Sequence, residues 1–203
     1  SMWVKPSTST VSQTLFYYGG DDLANEGRID IVQFSGNNLL FRYGKNSNNI
    51  SFIGVGNFPT NQWNHILITY SGADTLTANG GAIAFTMSIN GANGISQIQA
   101  QGGGFSNNIP ADKYRIGRLL GTTTNQYLTD GIVNQVAIFN TDESANVSSI
   151  YNGGATQDLS LLSSAPVHFY EVDSSVTTIP DLIGSADLTC FNFVAADLVS
   201  DAP

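Results

Sequence analysis

Four carboxylates, Asp21, Asp22, Glu26 and Asp30, fall within ten residues of one another. With carbonyl oxygens from the surrounding loop they could gather the six or more oxygen ligands that a Ca2+ ion takes. The run lacks the spacing of an EF-hand loop, and a solvated acidic loop is the competing reading of the same residues. A second chemistry is offered by Thr124-Asn125-Gln126-Tyr127. An aromatic face with amides beside it is what saccharide recognition needs: the ring stacks on the sugar while Asn125 and Gln126 hydrogen-bond hydroxyls in the ring plane. Tyr127 is the leading candidate because it sits in a polar stretch with no strand alternation. Tyr17 and Tyr18, close to Asp21 and Asp22, are a second such group. The alternative for all these tyrosines is packing of loops onto the rim of the fold. His65 and His168 are the only imidazoles and Cys190 the only thiol. Neither imidazole lies near a Ser or Cys in a nucleophile-elbow pattern, so no hydrolytic constellation is visible.

The elements that position these residues belong to a chain of 203 residues, 41% hydrophobic and 11% charged. Such a chain can bury roughly 70% of its unfolded surface in one core, so a single domain over 1–203 is expected. Seven Lys and Arg against 16 Asp and Glu give a net charge of −9. That charge repels phosphate backbones and anionic headgroups, which argues against nucleic-acid binding. Apolar runs such as Ile66-Leu67-Ile68 fall far short of the roughly 20 residues that span hydrocarbon, so no membrane insertion is expected. No cationic segment followed by an apolar one opens the chain, so it is expected to carry no export signal of its own. The opening residues read like the middle of a strand, as in a fragment of something larger. One cysteine allows no internal disulfide. The Asn-x-Ser matches at Asn49 and Asn146 are expected by chance in a chain rich in both residues.

Apolar residues recur at every second position in short runs bounded by Gly, Asn, Asp or Pro, the pattern of a many-stranded all-β sandwich. Ile83, Phe85, Met87 and Ile89 alternate with Ala84, Thr86 and Ser88, and Asn90-Gly91 then supplies a tight turn, so Ile95 to Gln99 is expected to return antiparallel. Similar alternation marks 29–34, 39–43, 50–52, 66–70 and 132–138. One short helix is expected at 143–151, where Val147, Ile150 and Tyr151 form a stripe, Thr141 or Asp142 caps the start and Gly153-Gly154 ends it. Trp3 and Trp63 are expected in the core. After Pro166, strands at 167–172 and 188–194 are expected to close the same domain, since two strands alone would be marginal.

Three stretches carry a family resemblance. Gln62-Trp63-Asn64-His65-Ile66-Leu67-Ile68-Thr69-Tyr70, followed by Met87-Ser88-Ile89-Asn90-Gly91, is similar to a W-x-H-V-A-V-T-Y strand and its Y-V-N-G hairpin. Tyr114-Arg115-Ile116-Gly117-Arg118 resembles an I-G strand. Thr129-Asp130-Gly131-Ile132-Val133-Asn134-Gln135-Val136-Ala137-Ile138-Phe139-Asn140 resembles F-D-G-x-I-D-E-V-R-I-Y-N. Together these resemble the laminin-G-like branch of the concanavalin A-like lectin/glucanase superfamily, which includes the pentraxins. The resemblance implies a two-sheet antiparallel jelly-roll sandwich, with His65 a half-buried position on its strand.

The same resemblance implies calcium held by loop oxygens at the sandwich edge, with Asp21, Asp22 and Asp30 as the metal candidates. The family's I-D-E is Asn134-Gln135 here, and the acid of its T-Y-D-G is Ser71, so two sources of negative charge are neutral. Glucanases of this fold place a nucleophile and a general acid on one strand face through E-x-D-x-x-E. The nearest match, Glu171-Val172-Asp173-Ser174-Ser175-Val176, ends in valine where the proton donor is needed, so no catalysis is expected. The segment from Val167 to Gly184 resembles stretches that lead into such domains in virion structural proteins of marine bacteriophages. The expected function is a noncatalytic carbohydrate-binding or adhesion module on a phage particle or bacterial surface, its partner a glycan or surface polysaccharide and its ligand residues Tyr127, Asn125, Gln126 and Tyr18. The rival expectation is a virion decoration domain that contacts other virion or cell-surface proteins through sheet edges.

Overall fold

The computed structural model describes residues 1–7, 12–19, 28–34, 38–44, 50–54, 58–70, 85–93, 95–100, 113–119, 126–128, 131–172 and 175–203. In chain order the strands are β1 (Met2–Pro6), β2 (Gln13–Gly19), β3 (Arg28–Phe34), β4 (Asn38–Gly44), β5 (Ile50–Gly54), β6 (Asn64–Tyr70), β7 (Phe85–Ile89) and β8 (Ala92–Asn93). They continue as β9 (Ile95–Ala100), β10 (Tyr114–Ile116), β11 (Arg118–Leu119), β12 (Gln126–Tyr127), β13 (Gly131–Ile138), β14 (His168–Glu171), β15 (Thr178–Ile179) and β16 (Leu188–Thr189). One α-helix, α1 (Val147–Tyr151), stands among short 3-10 turns. The first sheet runs β14-β13-β1-β6-β7-β8 and the second β10-β2-β3-β4-β5-β9, with every pairing antiparallel. The all-β sandwich expected from alternation is the observed architecture.

Alternation decides what each strand gives to the interior. Met2 and Val4, Ile31, Leu39 and Phe41, Phe85 and Met87 come from the two sheets into one buried core with Phe58, Val136 and Tyr170. The first sheet is buried on its other face too. Leu67, Ala137 and Phe169 meet Ile150 of α1 and Leu159 of the following 3-10 turn. This explains why β13 does not alternate: Val136 faces one apolar cluster and Ala137 the other. Its neighbours Asn134 and Gln135 are also buried, and Gln135 Nε2 donates to the Gln157 carbonyl at 3.1 Å.

The resemblance-bearing stretches are held together by their own polar atoms. Asn90 and Gly91 adopt φ of 53° and 77°, the left-handed pair of a two-residue hairpin. Asn90 Oδ1 accepts the His65 N–H at 2.8 Å, and its Nδ2 donates to Asn64 Oδ1 at 3.0 Å. The returning strand is β8, not 95–99: after Asn93 the chain leaves the first sheet, and β9 pairs with β5 in the second. Alternation alone gave no sign of this crossing, because a strand's period is the same in either sheet. A Cβ on Gly91 would lie 2.6 Å from the Tyr151 ring. Gly91→Ala is therefore expected to cost about 1–3 kcal/mol, from left-handed strain plus the collision. Urea unfolding of that variant tests this; an unchanged midpoint would show that the Tyr151 ring yields freely.

His65 is fully buried rather than half-buried, against Trp3 at 5.0 Å and Tyr151 at 5.8 Å. Trp3 is core as expected, whereas Trp63 is half-buried, its Nε1 donating to Asp201 at 3.0 Å. The helix expected over 143–151 is a 3-10 turn at 144–146 followed by α1: Asp142 Oδ1 accepts the Ser144 N–H at 3.0 Å, and Asn152 at φ 50°, rather than Gly153-Gly154, ends α1. Beneath it Glu143 accepts from Thr141, Ser164 and Asn146 at 2.5 to 2.6 Å. Burial works to raise the Glu143 carboxyl, but these three donors hold it below the ordinary value.

After α1, β14 adds a sixth strand to the first sheet, while β15 and β16 form a small ladder of their own. Residues 190–194 are not strand, so the last expected strand is shorter than its apolar pattern. Ile179 nevertheless enters the main core, with Leu188 and Cys190 packed against it.

Candidate functional site

One edge of the second sheet is β10 and one edge of the first is β14. The two edges meet through aromatic rings. Tyr18 and Tyr114 lie opposite each other in the β2–β10 pairing and stack with centroids 4.7 Å apart at 17°. Tyr114 approaches His168 at 5.6 Å, and His168 lies over Tyr170 at 6.4 Å and 14°. Residues two apart on a strand share a face, which is why His168 and Tyr170 stack. Tyr170 is buried, while Tyr18, Tyr114 and His168 are half-buried.

A carboxylate fixes the imidazole. Asp181 Oδ2 lies 2.6 Å from His168 Nδ1, and the Asp181 side chain is fully buried. Its oxygens also accept the backbone N–H groups of Phe169 at 3.1 Å, Gly184 at 3.0 Å and Ala186 at 3.1 Å. Burial pushes the Asp181 carboxyl upward, but the donors, His168 first, outweigh it and hold the carboxyl far below the usual carboxylate range. Asp181 holds Nδ1, which leaves Nε2 as the ring's other hydrogen-bonding atom. No protein group bonds Nε2 among the described residues. The His168 side chain is 22% exposed.

Gly184 is part of this construction, because a Cβ there would collide with Asp181 Oδ2 and lie 2.7 Å from His168 Nδ1. The Tyr170 hydroxyl donates to the Ala186 carbonyl at 2.9 Å. Burial, then the charge of Asp181, pushes the Tyr170 phenol up, with Tyr114 and Asp187 adding to it. Burial, then Tyr18 and Asp181, does the same to Tyr114. The rim therefore offers a phenol pair beside an imidazole held in place by a buried carboxylate.

The expected site residues are distributed differently. Tyr18 is in this rim. Gln126 and Tyr127 form β12, paired with Leu119 and Arg118 of β11, so Tyr127 is in a short strand rather than an irregular loop. Their side chains lie outside the described residues, as do Asn125, Asp21, Asp22 and Glu26. Asp30 is in β3, fully buried, with Arg42 Nε donating at 2.6 Å and Nη2 at 2.8 Å. Its charge is met within the sheet by a guanidinium. Beside it Tyr17 is buried under Arg115, whose Cζ is 5.3 Å from the ring. Glu171 is exposed at the end of β14 opposite Gln135, and Asp173 lies outside the described residues. Among the described residues no group of three or more His, Cys, Asp or Glu is placed to hold a metal.

Residues 1–146 match the family model described as the Concanavalin A-like lectin/glucanases superfamily. The chain belongs to that superfamily. No curated protein and no solved structure is significantly similar to it. As a concanavalin A-like, laminin-G-like domain the chain is a lectin-like or adhesion module in general terms, from a superfamily that is mostly noncatalytic. No helix among the described residues is long and apolar enough to cross a membrane. Asp181 and its His168 partner lie beyond the matched 1–146. Sequence reasoning missed this dyad. The signal was Pro180-Asp181-Leu182-Ile183-Gly184, a turn pattern in which an aspartate caps its own backbone.

Proposed function

We propose that this domain is a noncatalytic carbohydrate-binding module acting at a virion or bacterial surface, with its ligand seated on the Tyr18–Tyr114–His168 rim. The observation that carries the proposal is the half-buried Tyr18–Tyr114 stack with a half-exposed imidazole beside it, whose Nε2 can hydrogen-bond a ligand. A sugar ring needs that combination of a flat apolar face and in-plane hydrogen bonding. Val176 in place of a second catalytic carboxylate supports the noncatalytic reading. The acidic segment with Asp21, Asp22 and Glu26 is proposed to add calcium dependence, with oxygen ligands as that ion requires.

A glycan array with and without calcium tests both parts. Tyr114→Ala is expected to weaken binding about tenfold, the worth of one lost ring contact. Equal binding by wild type and variant would move the site elsewhere. The alternative, a decoration domain that contacts other proteins, is favoured by Leu182, Ile183 and Val194, which are 50%, 38% and 58% exposed on the C-terminal segment. Absence of any glycan signal under either condition would favour it.

A further inference from the structure

We infer that Asn152-Gly153, at the end of α1, is a self-modification site, where the exposed asparagine cyclises onto the following peptide nitrogen and opens to aspartate and isoaspartate. This holds whatever the rim binds. The same Asn-Gly pair occurs at Asn79, Asn90, Asn93 and Asn152. Asn79, Gly80 and Gly94 lie outside the described residues, so the comparison is between Asn90 and Asn152. Both adopt the left-handed conformation, at φ 53° and 50°. They differ in what holds the side-chain amide and in what surrounds the glycine.

Asn90 is bound at both ends of its amide. Oδ1 accepts the His65 N–H at 2.8 Å, Nδ2 donates to Asn64 Oδ1 at 3.0 Å, and its own N–H donates to the His65 carbonyl at 2.9 Å. Gly91 is half-buried against the Tyr151 ring, where even a methyl group has no room. Cγ can reach the Gly91 nitrogen only when the amide turns off its partners, so this hairpin must first give up those bonds. Asn152 is exposed, and no hydrogen bond engages its side chain among the described residues. Gly153 is exposed too, and a Cβ built on it meets nothing within 4 Å. With that space and no side chain on Gly153, the peptide can turn about the Asn152 ψ of 39° to bring its nitrogen onto Cγ. The turn closes on a long bond, from the Ala155 N–H to the Asn152 carbonyl at 3.4 Å, the kind that opens locally.

The step balances with water alone. The Gly153 nitrogen forms a bond to Asn152 Cγ and gives up its proton, the Cγ–Nδ2 bond breaks, and ammonia leaves with that proton. Water then opens the cyclic imide at either carbonyl: cleavage at Cγ gives aspartate, and cleavage at the main-chain carbonyl gives isoaspartate. Either product adds a negative charge to a chain of net −9. The isoaspartyl product also lengthens the main chain by a methylene next to Tyr151, whose ring meets Trp3 and His65, both at 5.8 Å. The modification therefore acts where α1 covers the first sheet.

The test is incubation of the intact folded chain in mildly alkaline buffer, which favours loss of the peptide proton, followed by peptide mass mapping and enzymatic methylation of isoaspartate. The peptide bearing Asn152 is expected to convert about tenfold or more faster than the one bearing Asn90, which must first break two side-chain hydrogen bonds. In concentrated guanidinium chloride those bonds are gone, and the two rates are expected to converge. Gly153→Ala, whose methyl group has space but shields the attacking nitrogen, is expected to slow conversion at Asn152 about tenfold and leave Asn90 unchanged. Equal rates at Asn90 and Asn152 in the folded chain overturn the inference. So does an Asn152 that stays intact in the folded chain while it converts in denaturant. A Gly153→Ala variant that converts as fast as the wild type shows hydrolysis without the imide and overturns it as well.

Discussion

Arg42→Met is expected to destabilise the protein by about 3–5 kcal/mol, because it removes the guanidinium that meets both oxygens of a buried carboxylate. Asp30 has no exposed surface, and both its oxygens are engaged by the one guanidinium at 2.6 and 2.8 Å. Breaking one side of such a pair removes the attraction and leaves the whole desolvation cost of the other charge. Replacing the pair together is a different experiment. Asp30→Leu with Arg42→Met removes both charges, and its loss is expected to shrink to about 1–2 kcal/mol, since a buried ion pair roughly breaks even against apolar residues of similar size. Denaturant unfolding of both single variants and the double variant closes the cycle. A single-variant loss under about 1 kcal/mol would mean that water reaches Asp30 and that the pair behaves as a surface ion pair.

The second large effect is in acid. His65 is fully buried, and burial, followed by the nearby N-terminal charge, lowers its pKa to about 3 from an ordinary 6.5. Its Nε2 lies 2.8 Å from Ser1 Oγ, and its Nδ1 is buried without a partner. Protonation would therefore bury an unsatisfied donor as well as a charge. As the pH falls below about 6.5 the unfolded chain takes up a proton that His65 in the folded chain refuses, so its contribution is full above that pH and declines towards about pH 3, while the buried Ser1 amine, lowered from 8.0 to about 5, adds a loss of the same sign between about pH 8 and about pH 5. The His65 span is worth about 4–5 kcal/mol at 1.36 kcal/mol per unit, of which about 2 should be gone by pH 5. The carboxyls held low, Asp181 and Glu143, act in the same direction but only below about pH 4, where unfolded carboxylates protonate. His65→Phe, which keeps a ring between Trp3 and Tyr151, is expected to reduce the slope between about pH 5 and about pH 6.5, leaving the part that the buried Ser1 amine contributes. A variant with the wild-type slope would assign that acid sensitivity to another group.

These two residues show where sequence reading reaches and where it stops. The strand bearing His65 was legible from alternation and from the Trp63-to-Tyr70 stretch, and the Asn90-Gly91 turn from its two left-handed residues. The depth of His65 was not, because the cover on that face is α1, which alternation within β6 cannot report. Asp30 reads as one of four acids within ten residues. Its fate is set by Arg42, twelve positions away in sequence but directly opposite in the β3–β4 register. The rim was half legible: Tyr18 could be named from its polar neighbourhood, but its partners arrive from β10, from β14 and from a turn at 181–187. A site assembled from the edges of two sheets leaves no local spacing to find.

The place of β1 in the first sheet also governs how the domain would bear load. It lies between β13 and β6 and runs antiparallel to both. Tension entering through β1 would act in shear along two hydrogen-bonded ladders at once, so their bonds would share the force instead of unzipping singly. Lys5 Nζ, 2.5 Å from Asp201, and Trp63, which donates to the same carboxylate, brace the end of that strand against the C-terminal segment. Pulled through β1, such a domain would be expected to give way in one step rather than strand by strand.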